Sequence, residues 1–175
     1  KTQPLDEYRE QRRGGQGKAA ASVKEEDLIQ NLYVLSSHVQ ILCFTTKGKV
    51  FWLKVYEIPV ASRTSKGRPL VNMLNLDDDE RVSEILPVEE FSDDKFIFMA
   101  TRKGITKKTN LSLFARKWKS GIKAINLDED DRLVGTAITD GKKEILLASS
   151  AGKLIRFNET KVRAMGRTAT VSYTH

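Results

Sequence analysis

The chain has 175 residues, enough to bury a sizeable core, and 30 Lys and Arg against 23 Asp and Glu give a formal net charge of +7. A single cysteine, Cys43, excludes a disulfide framework within the chain and favours a reducing, cytosolic setting. No apolar run approaches the roughly 18 residues of a membrane-spanning helix and the N-terminus lacks a signal-peptide core, so we expect a soluble protein with a polyanionic partner.

The first distinctive segment is a cationic, glycine-rich stretch, QRRGGQGK, at residues 11–18. Glycine reaches backbone conformations that other residues avoid, so this stretch can come close to a phosphate chain. Backbone N–H groups and the guanidinium groups of Arg12 and Arg13 can then point at the same phosphate oxygens. A flexible, solvated basic loop is the alternative interpretation of these residues.

A hairpin pattern recurs three times further along the chain, about every 50 residues. Each copy has a short apolar run, a turn with glycine and a second run, which is the signature of a hairpin. The first run of each copy is almost continuously apolar, as in strands buried on both faces between propeller blades. Sustained helical periodicity is missing, and only short turns are expected at 54–58 and 111–118. The three copies span residues 41–50, 96–105 and 145–154, with turn glycines Gly48, Gly104 and Gly152.

Acidic clusters form a second repeated feature. Residues 74–82 (LNLDDDERV) match residues 125–133 (INLDEDDRL), and residues 22–29 contain a weaker copy. Each cluster separates two apolar runs, so we place it at a turn. The acids at 77–80 lack the ligand spacing and central glycine of an EF-hand loop, so we expect solvated turns and no metal site.

These repeats predict an all-β fold, a propeller-like array of about three to four units with four-stranded blades. Residues 66–68 (KGR) and 119–121 (KSG) occupy roughly the same position in their units as residues 11–17 occupy in the first unit. Because the pattern begins and ends within a unit, we expect a piece of a longer array. The predicted units are an N-terminally incomplete blade at 1–40, complete blades at 41–95 and 96–144, and a partial blade at 145–175.

Each unit divides into a basic part and an acidic part. Cations concentrate in 47–68, 102–123 and 153–167, whereas acids concentrate in 77–94. We expect the basic parts to stack into one positive stripe, with the acidic turns lying away from it. The predicted stripe residues are Lys47, Lys49, Arg63, Lys66, Arg68, Arg102, Lys103, Lys107, Lys108, Arg116, Lys117, Lys119, Lys153, Arg156, Arg163 and Arg167.

A positive stripe with few aromatic residues suits duplex DNA held by its phosphates, largely independently of sequence. Binding of single strands requires aromatic stacking platforms, and we interpret Trp52 and Trp118 as packing residues instead. Two histidines and one cysteine provide neither a Ser-His-Asp set nor metal-ligand spacing, so no catalytic residue is predicted.

The stretch at 11–17, QRRGGQG, resembles almost letter for letter the seven-residue box of the C-terminal domain of gyrase A subunits, with Gln16 where that box has a cation. The resemblance extends over essentially the whole chain. It implies a β-pinwheel, in which successive blades exchange strands, and a DNA wrap that lets a type IIA topoisomerase introduce negative supercoils. Arg12, Arg13 and Lys18 would hold phosphates, and the glycines would allow close approach. The implied DNA-binding box is Gln11, Arg12, Arg13, Gly14, Gly15, Gln16, Gly17 and Lys18.

The resemblance also implies partners: duplex DNA, the rest of the gyrase A polypeptide, and the gyrase B polypeptide in an A2B2 heterotetramer of the bacterial cytoplasm, associated with the nucleoid. It makes this chain a non-catalytic part of the enzyme, with no cofactor of its own, because ATP and Mg are used elsewhere. The DNA-cleaving tyrosine also belongs elsewhere, which excludes Tyr8, Tyr33, Tyr56 and Tyr173.

Two alternatives remain at this point. The C-terminal domain of the topoisomerase IV A polypeptide shares the blades but lacks the box, so residues 11–17 argue against it. A propeller scaffold could direct the same cations at an acidic protein. Residues 171–175 depart from the glycine-bearing continuation of the gyrase pattern, so we expect the native pattern to end near Thr170.

Overall fold

The computed structural model describes residues 1–8, 13–15 and 29–169. The weak acidic copy at 22–28, most of the box at 11–18 and the closing residues 170–175 lie outside the described residues. The strands are β1 (Gln40–Thr45), β2 (Lys49–Lys54), β3 (Val82–Val88), β4 (Phe96–Thr101), β5 (Thr106–Asn110), β6 (Ile122–Lys123), β7 (Leu133–Thr139), β8 (Glu144–Ala148) and β9 (Leu154–Asn158).

Helical structure in the described residues is limited to short 3-10 turns. The expected turns at 54–58 and 111–118 are confirmed by two of them. The described part of the chain contains no helix with the length and apolarity needed to cross a membrane. The 3-10 turns are Leu5–Glu7, Val55–Glu57, Leu70–Asn72, Leu111–Phe114 and Glu159–Lys161.

The strands form three antiparallel sheets, in the orders β3-β1-β2-β6, β5-β4-β7 and β8-β9. An all-β, propeller-like fold is therefore confirmed, although among the described residues only the first sheet has the predicted four strands. Five of the six residues of β1 are buried, because core residues cover both faces of its sheet. The third sheet differs, because Leu146 and Leu154 are exposed. It contacts the second sheet through the rings of Phe98 and Phe157, whose centroids are 6.4 Å apart, and through Glu159, which follows β9 and pairs with Lys108.

All three predicted hairpins are present, and each is closed by a hydroxyl that the sequence pattern did not single out. The hydroxyl oxygens of Thr45, Thr101 and Ser149 each accept a hydrogen bond of 3.2 Å from the backbone N–H four residues later. In each turn, the glycine between the hydroxyl residue and the donating N–H group has a positive φ, between 73° and 85°. At Gly48 there is a second constraint, because a Cβ atom would lie 2.7 Å from the Ile125 carbonyl oxygen.

Neighbouring units exchange backbone. The stretch that follows the 3-10 turn of each hairpin contacts the unit before it; we call residues 58–69, 115–121 and 162–169 the linking segments. The second linking segment leads into β6, which pairs with β2 of the preceding hairpin. The first and third make parallel bridges, Val60 to Thr2 and Ala164 to Lys108. Exchange between successive units, which the resemblance implied, is therefore part of the observed fold.

Pairing of β3 with β1 decides where the acidic turns lie. Val82 at the start of β3 is opposite Thr45 at the end of β1, so the turn at 77–81 lies against the hairpin turn. The N–H of Thr46 donates to the carbonyl of Arg81 at 2.8 Å. The next unit repeats this contact with Arg102 and Arg132 at 2.9 Å.

Candidate nucleic-acid interface

Three box residues, Arg13, Gly14 and Gly15, belong to the described residues, and all three are exposed. Gly14 has φ of +85°, and a Cβ atom built there would meet no atom of the described residues within 4 Å. This part of the box thus combines an exposed cation with open space at a left-handed glycine. Contact between the box and DNA stays a prediction. The other box residues, Gln11, Arg12, Gln16, Gly17 and Lys18, lie outside the described residues.

The linking segments concentrate uncompensated positive charge. They contain eight cations and no acidic residue. Six of these cations are exposed and two are half-buried. Within residues 1–8, 13–15 and 29–169, none of the eight takes part in an ion pair. The eight are Arg63, Lys66, Arg68, Arg116, Lys117, Lys119, Arg163 and Arg167.

The first linking segment is held in place by a residue that sequence reasoning missed. The ammonium group of Lys1 donates to the carbonyl oxygens of Ser62, Arg63 and Ser65 at 2.9, 2.9 and 2.8 Å. Three charge-assisted hydrogen bonds fix the backbone of this turn. The side chain of Arg63 therefore starts from an ordered position, and Lys1 itself is directed inward.

Two residues of the predicted stripe, Lys107 and Lys108, must be withdrawn from it. Both lie on β5 and are buried, with 0% and 6% of their surface exposed. Lys107 donates to the carbonyl oxygens of Arg167 and Ala169, and burial lowers its pKa to about 8. Lys108 donates to the Glu159 carbonyl oxygen at 2.9 Å. Backbone of the following unit covers both ammonium groups, so neither can reach a phosphate.

Three further predicted cations face the acidic turns. Lys47 pairs with Asp79, Lys49 lies 2.9 Å from Asp77, and Lys103 pairs with Asp130. These hydrogen bonds raise the pKa of the lysines and lower the pKa of the three aspartates.

The prediction that acidic turns lie away from the basic parts is wrong at these hairpin turns. The physical reason is the antiparallel pairing of β3 with β1 and of β7 with β4, which brings each acidic turn beside a hairpin turn.

The remaining predicted cations are exposed residues outside the linking segments. Arg102 and Lys153 form no ion pair with another described residue. Arg156 lies on β9, where its Nε is 3.8 Å from a carboxylate oxygen of Glu144. The charge available to a polyanion is therefore greatest in the linking segments, supplemented by Arg13, Arg102 and Lys153.

The two tryptophans have different environments. Trp52 packs against the core and its Nε1 donates to the Phe114 carbonyl oxygen at 2.8 Å, so its interpretation as a packing residue is confirmed. Trp118 is 45% exposed, and the guanidinium carbon of Arg116 lies 4.6 Å from its ring centroid. Its interpretation as a packing residue is wrong. The signal was in the flanking residues, because Lys117 and Lys119 surround it with charge rather than with apolar side chains.

Comparison with known proteins agrees with the fold. The family model described as DNA gyrase C-terminal domain, beta-propeller, matches residues 1–36, 40–89, 95–140 and 143–170. The chain is 54% identical over 165 residues to the DNA gyrase A polypeptide of Aeromonas salmonicida, covering 94% of this chain and 18% of that protein. It is 53% identical over 170 residues to the DNA gyrase A polypeptide of Haemophilus influenzae, covering 97% and 19%. The chain thus spans about one fifth of the length of these relatives.

Two solved structures share the architecture. The C-terminal domain of a DNA topoisomerase IV superposes with a TM-score of 0.70 and 30% identity, covering 77% of this chain and 42% of that one. A DNA gyrase A C-terminal domain superposes with a TM-score of 0.64, covering 95% and 54%, and at 21% identity it bears on the fold alone. Since the family match extends over nearly all of the sequence, the chain belongs to the DNA gyrase C-terminal domain, beta-propeller family.

Proposed function

We propose that this chain binds and wraps duplex DNA as part of a gyrase A polypeptide, mainly through phosphate contacts. The observation that carries the proposal is the set of eight cations on the linking segments, which have no acidic neighbour in sequence and no ion pair within the described residues. Charges already paired would have to lose their partners before binding a phosphate. These eight do not, so their attraction to DNA is available in full.

Phosphate contacts suit this surface better than recognition of a base sequence. Reading of base edges in the major groove requires a helix or a two-stranded ribbon that enters it. The helical elements among the described residues are 3-10 turns of three or four residues. The described residues also form two-stranded hairpins, but the eight cations lie on the linking segments, outside every named strand and 3-10 turn. There they can neutralise phosphates without entering a groove. Binding is therefore largely independent of sequence.

Wrapping follows from the repetition of the linking segments along the array. The three linking segments present three, three and two cations, and a duplex that followed them around a propeller-like array would bend. Smooth bending of a site by 40–90° costs on the order of 1–6 kcal/mol, so contacts at the end of the bent segment must hold it. The box at 11–18 would supply these contacts, which would let the intact A2B2 gyrase, with ATP used elsewhere, introduce negative supercoils.

The test is a salt titration with charge-matched variants. We expect the affinity for a random-sequence duplex to fall with salt by a log–log slope of about −0.9 for each phosphate neutralised. K66A/R68A/K119A should make this slope shallower by about 2 to 3. K47A/K49A/K103A removes the same charge from paired positions and should change it less. Fluorescence anisotropy measures both.

Two results would contradict the proposal. A slope near zero for the unaltered chain would mean that phosphates do not govern binding, and would favour a protein scaffold with an acidic partner. Equal effects of the two triple variants would mean that net charge alone, and not the linking segments, determines affinity.

A further inference from the structure

We propose that the tip of the second linking segment, residues 116–119, is a base-stacking site, at which Trp118 takes an unpaired nucleobase of the bound DNA. The inference rests on the proposed DNA binding and adds a base contact to it. It concerns the one tryptophan whose interpretation from the sequence was wrong.

The environment of the Trp118 ring favours stacking on one face. The indole is 45% exposed, and the guanidinium carbon of Arg116 lies 4.6 Å from its centroid. The guanidinium group attracts the ring and occupies one of its faces. The exposed part of the ring can take a flat, aromatic partner. Intercalation between two stacked base pairs would require both faces of the ring, so this geometry favours a single unpaired base.

The segment that carries Trp118 is fixed at both ends. On one side Phe114 is fully buried, and its carbonyl oxygen accepts the hydrogen bond from Trp52. On the other side the N–H of Gly121 donates to the Trp118 carbonyl oxygen at 3.0 Å. A Cβ atom at Gly121 would lie 2.7 Å from the ring of Phe51, so this end packs tightly on the core. A site held in this way loses little conformational entropy on binding.

Charge identifies the occupant as nucleic acid. Lys117 and Lys119 are exposed on either side of Trp118, and residues 115–123 contain no acidic residue. An apolar peptide would gain nothing from these two ammonium groups. A nucleotide would gain from both features, because its base can stack on the indole while the adjoining phosphates contact the lysines.

Fluorescence of 2-aminopurine provides the test. The probe is a duplex with a short single-stranded gap that carries 2-aminopurine, compared with an intact duplex of the same length. We expect the chain to quench the probe and to bind the gapped DNA about five- to 100-fold more tightly than the intact duplex. W118A should lose the quenching and the preference while keeping its affinity for the intact duplex. W118F should retain most of the preference.

The controls separate this inference from the proposed function. K117A/K119A should weaken binding of both DNAs to a similar extent, since phosphates are common to both. Equal affinity of the unaltered chain for gapped and intact DNA, or quenching that survives in W118A, would overturn the stacking site and leave the proposed function intact. Failure to bind either DNA would overturn both. Circular dichroism of each variant checks that it is folded.

Discussion

Gly48 has two separate reasons to be glycine, whereas its counterpart Gly104 has one. Both have a positive φ, at which a side chain strains the backbone. A Cβ atom at position 48 would also lie 2.7 Å from the Ile125 carbonyl oxygen, whereas one at position 104 would meet nothing within 4 Å. The two hairpins therefore separate a conformational effect from a packing effect.

We expect G104A to lower the free energy of unfolding by about 1 kcal/mol, the usual cost of placing a side chain in the left-handed region. G48A should cost about 1–3 kcal/mol more, because the backbone at Ile125 has to shift. Urea denaturation measures both. Equal losses in the free energy of unfolding would mean that the backbone at Ile125 shifts without cost to make room for the new Cβ atom.

At the scale of single elements, the hairpins could be predicted from the sequence, but the segments that pack against them could not. An apolar run followed by a turn glycine is a local pattern, so the sequence predicted β1, β4 and β8 together with their partners. Burial of Lys107 and Lys108 is not local, because it depends on residues 159–169 folding back over β5. In the sequence both look like ordinary surface cations.

The acidic turns and Trp118 also differ from what the sequence predicted, for two different reasons. The position of the acidic turns depends on long-range pairing of β3 with β1, which leaves no mark in either segment alone. The exposure of Trp118 could have been inferred, since residues 115–121 contain three cations and lack the apolar neighbours of a core residue. Its interpretation as a packing residue rests on the placement of most aromatic residues inside apolar runs, which does not hold for Trp118.

Lys108 and Glu159 connect β5, β7 and the 3-10 turn Glu159–Lys161. Replacing them tests how strongly these elements hold together. The fully buried Glu159 accepts hydrogen bonds of 2.8 Å from Thr139 at the end of β7 and from the N–H of Lys143. The ammonium group of Lys108 on β5 lies 3.7 Å from the same carboxylate. The third sheet is thereby attached to the second through a buried ion pair.

We expect K108M to lower the free energy of unfolding by about 3 kcal/mol or more, since it leaves a buried carboxylate without its cation. E159Q should be costly as well, but K108M/E159Q should cost less than the sum of the two single changes, because no unpaired charge remains. Chemical denaturation of the unaltered chain, the two single variants and the double variant measures the four free energies of unfolding. Additive costs would show that the two side chains do not interact.

On the scale of the whole molecule, the role of the box is tested by the supercoiling activity of an intact gyrase, because that is where the proposed DNA wrap acts. R12A/R13A/K18A removes three of many cations, so the affinity of an intact gyrase for DNA should fall moderately. Loss of contacts at the strained end should nevertheless relax the bend. We expect negative supercoiling to be lost while ATP-driven relaxation or decatenation survives, as a topoisomer gel would show. K47A/K49A/K103A, which removes the same charge, should still supercoil.

The opposite result is equally specific. An enzyme that supercoils normally without the three box cations would make the box an ordinary basic loop, and would leave the linking segments as the sole basis of the wrap.

The linking segments have a mechanical consequence, because the stretches that carry the free cations also join one unit to the next. Tension on a bound duplex would pull on these joints, at β6 on the edge of β2 and at Ala164 beside Lys108. Hydrogen bonds between strands resist sliding along the strands better than peeling from one end. The direction in which DNA leaves the array would therefore determine how much force the array withstands before its units separate.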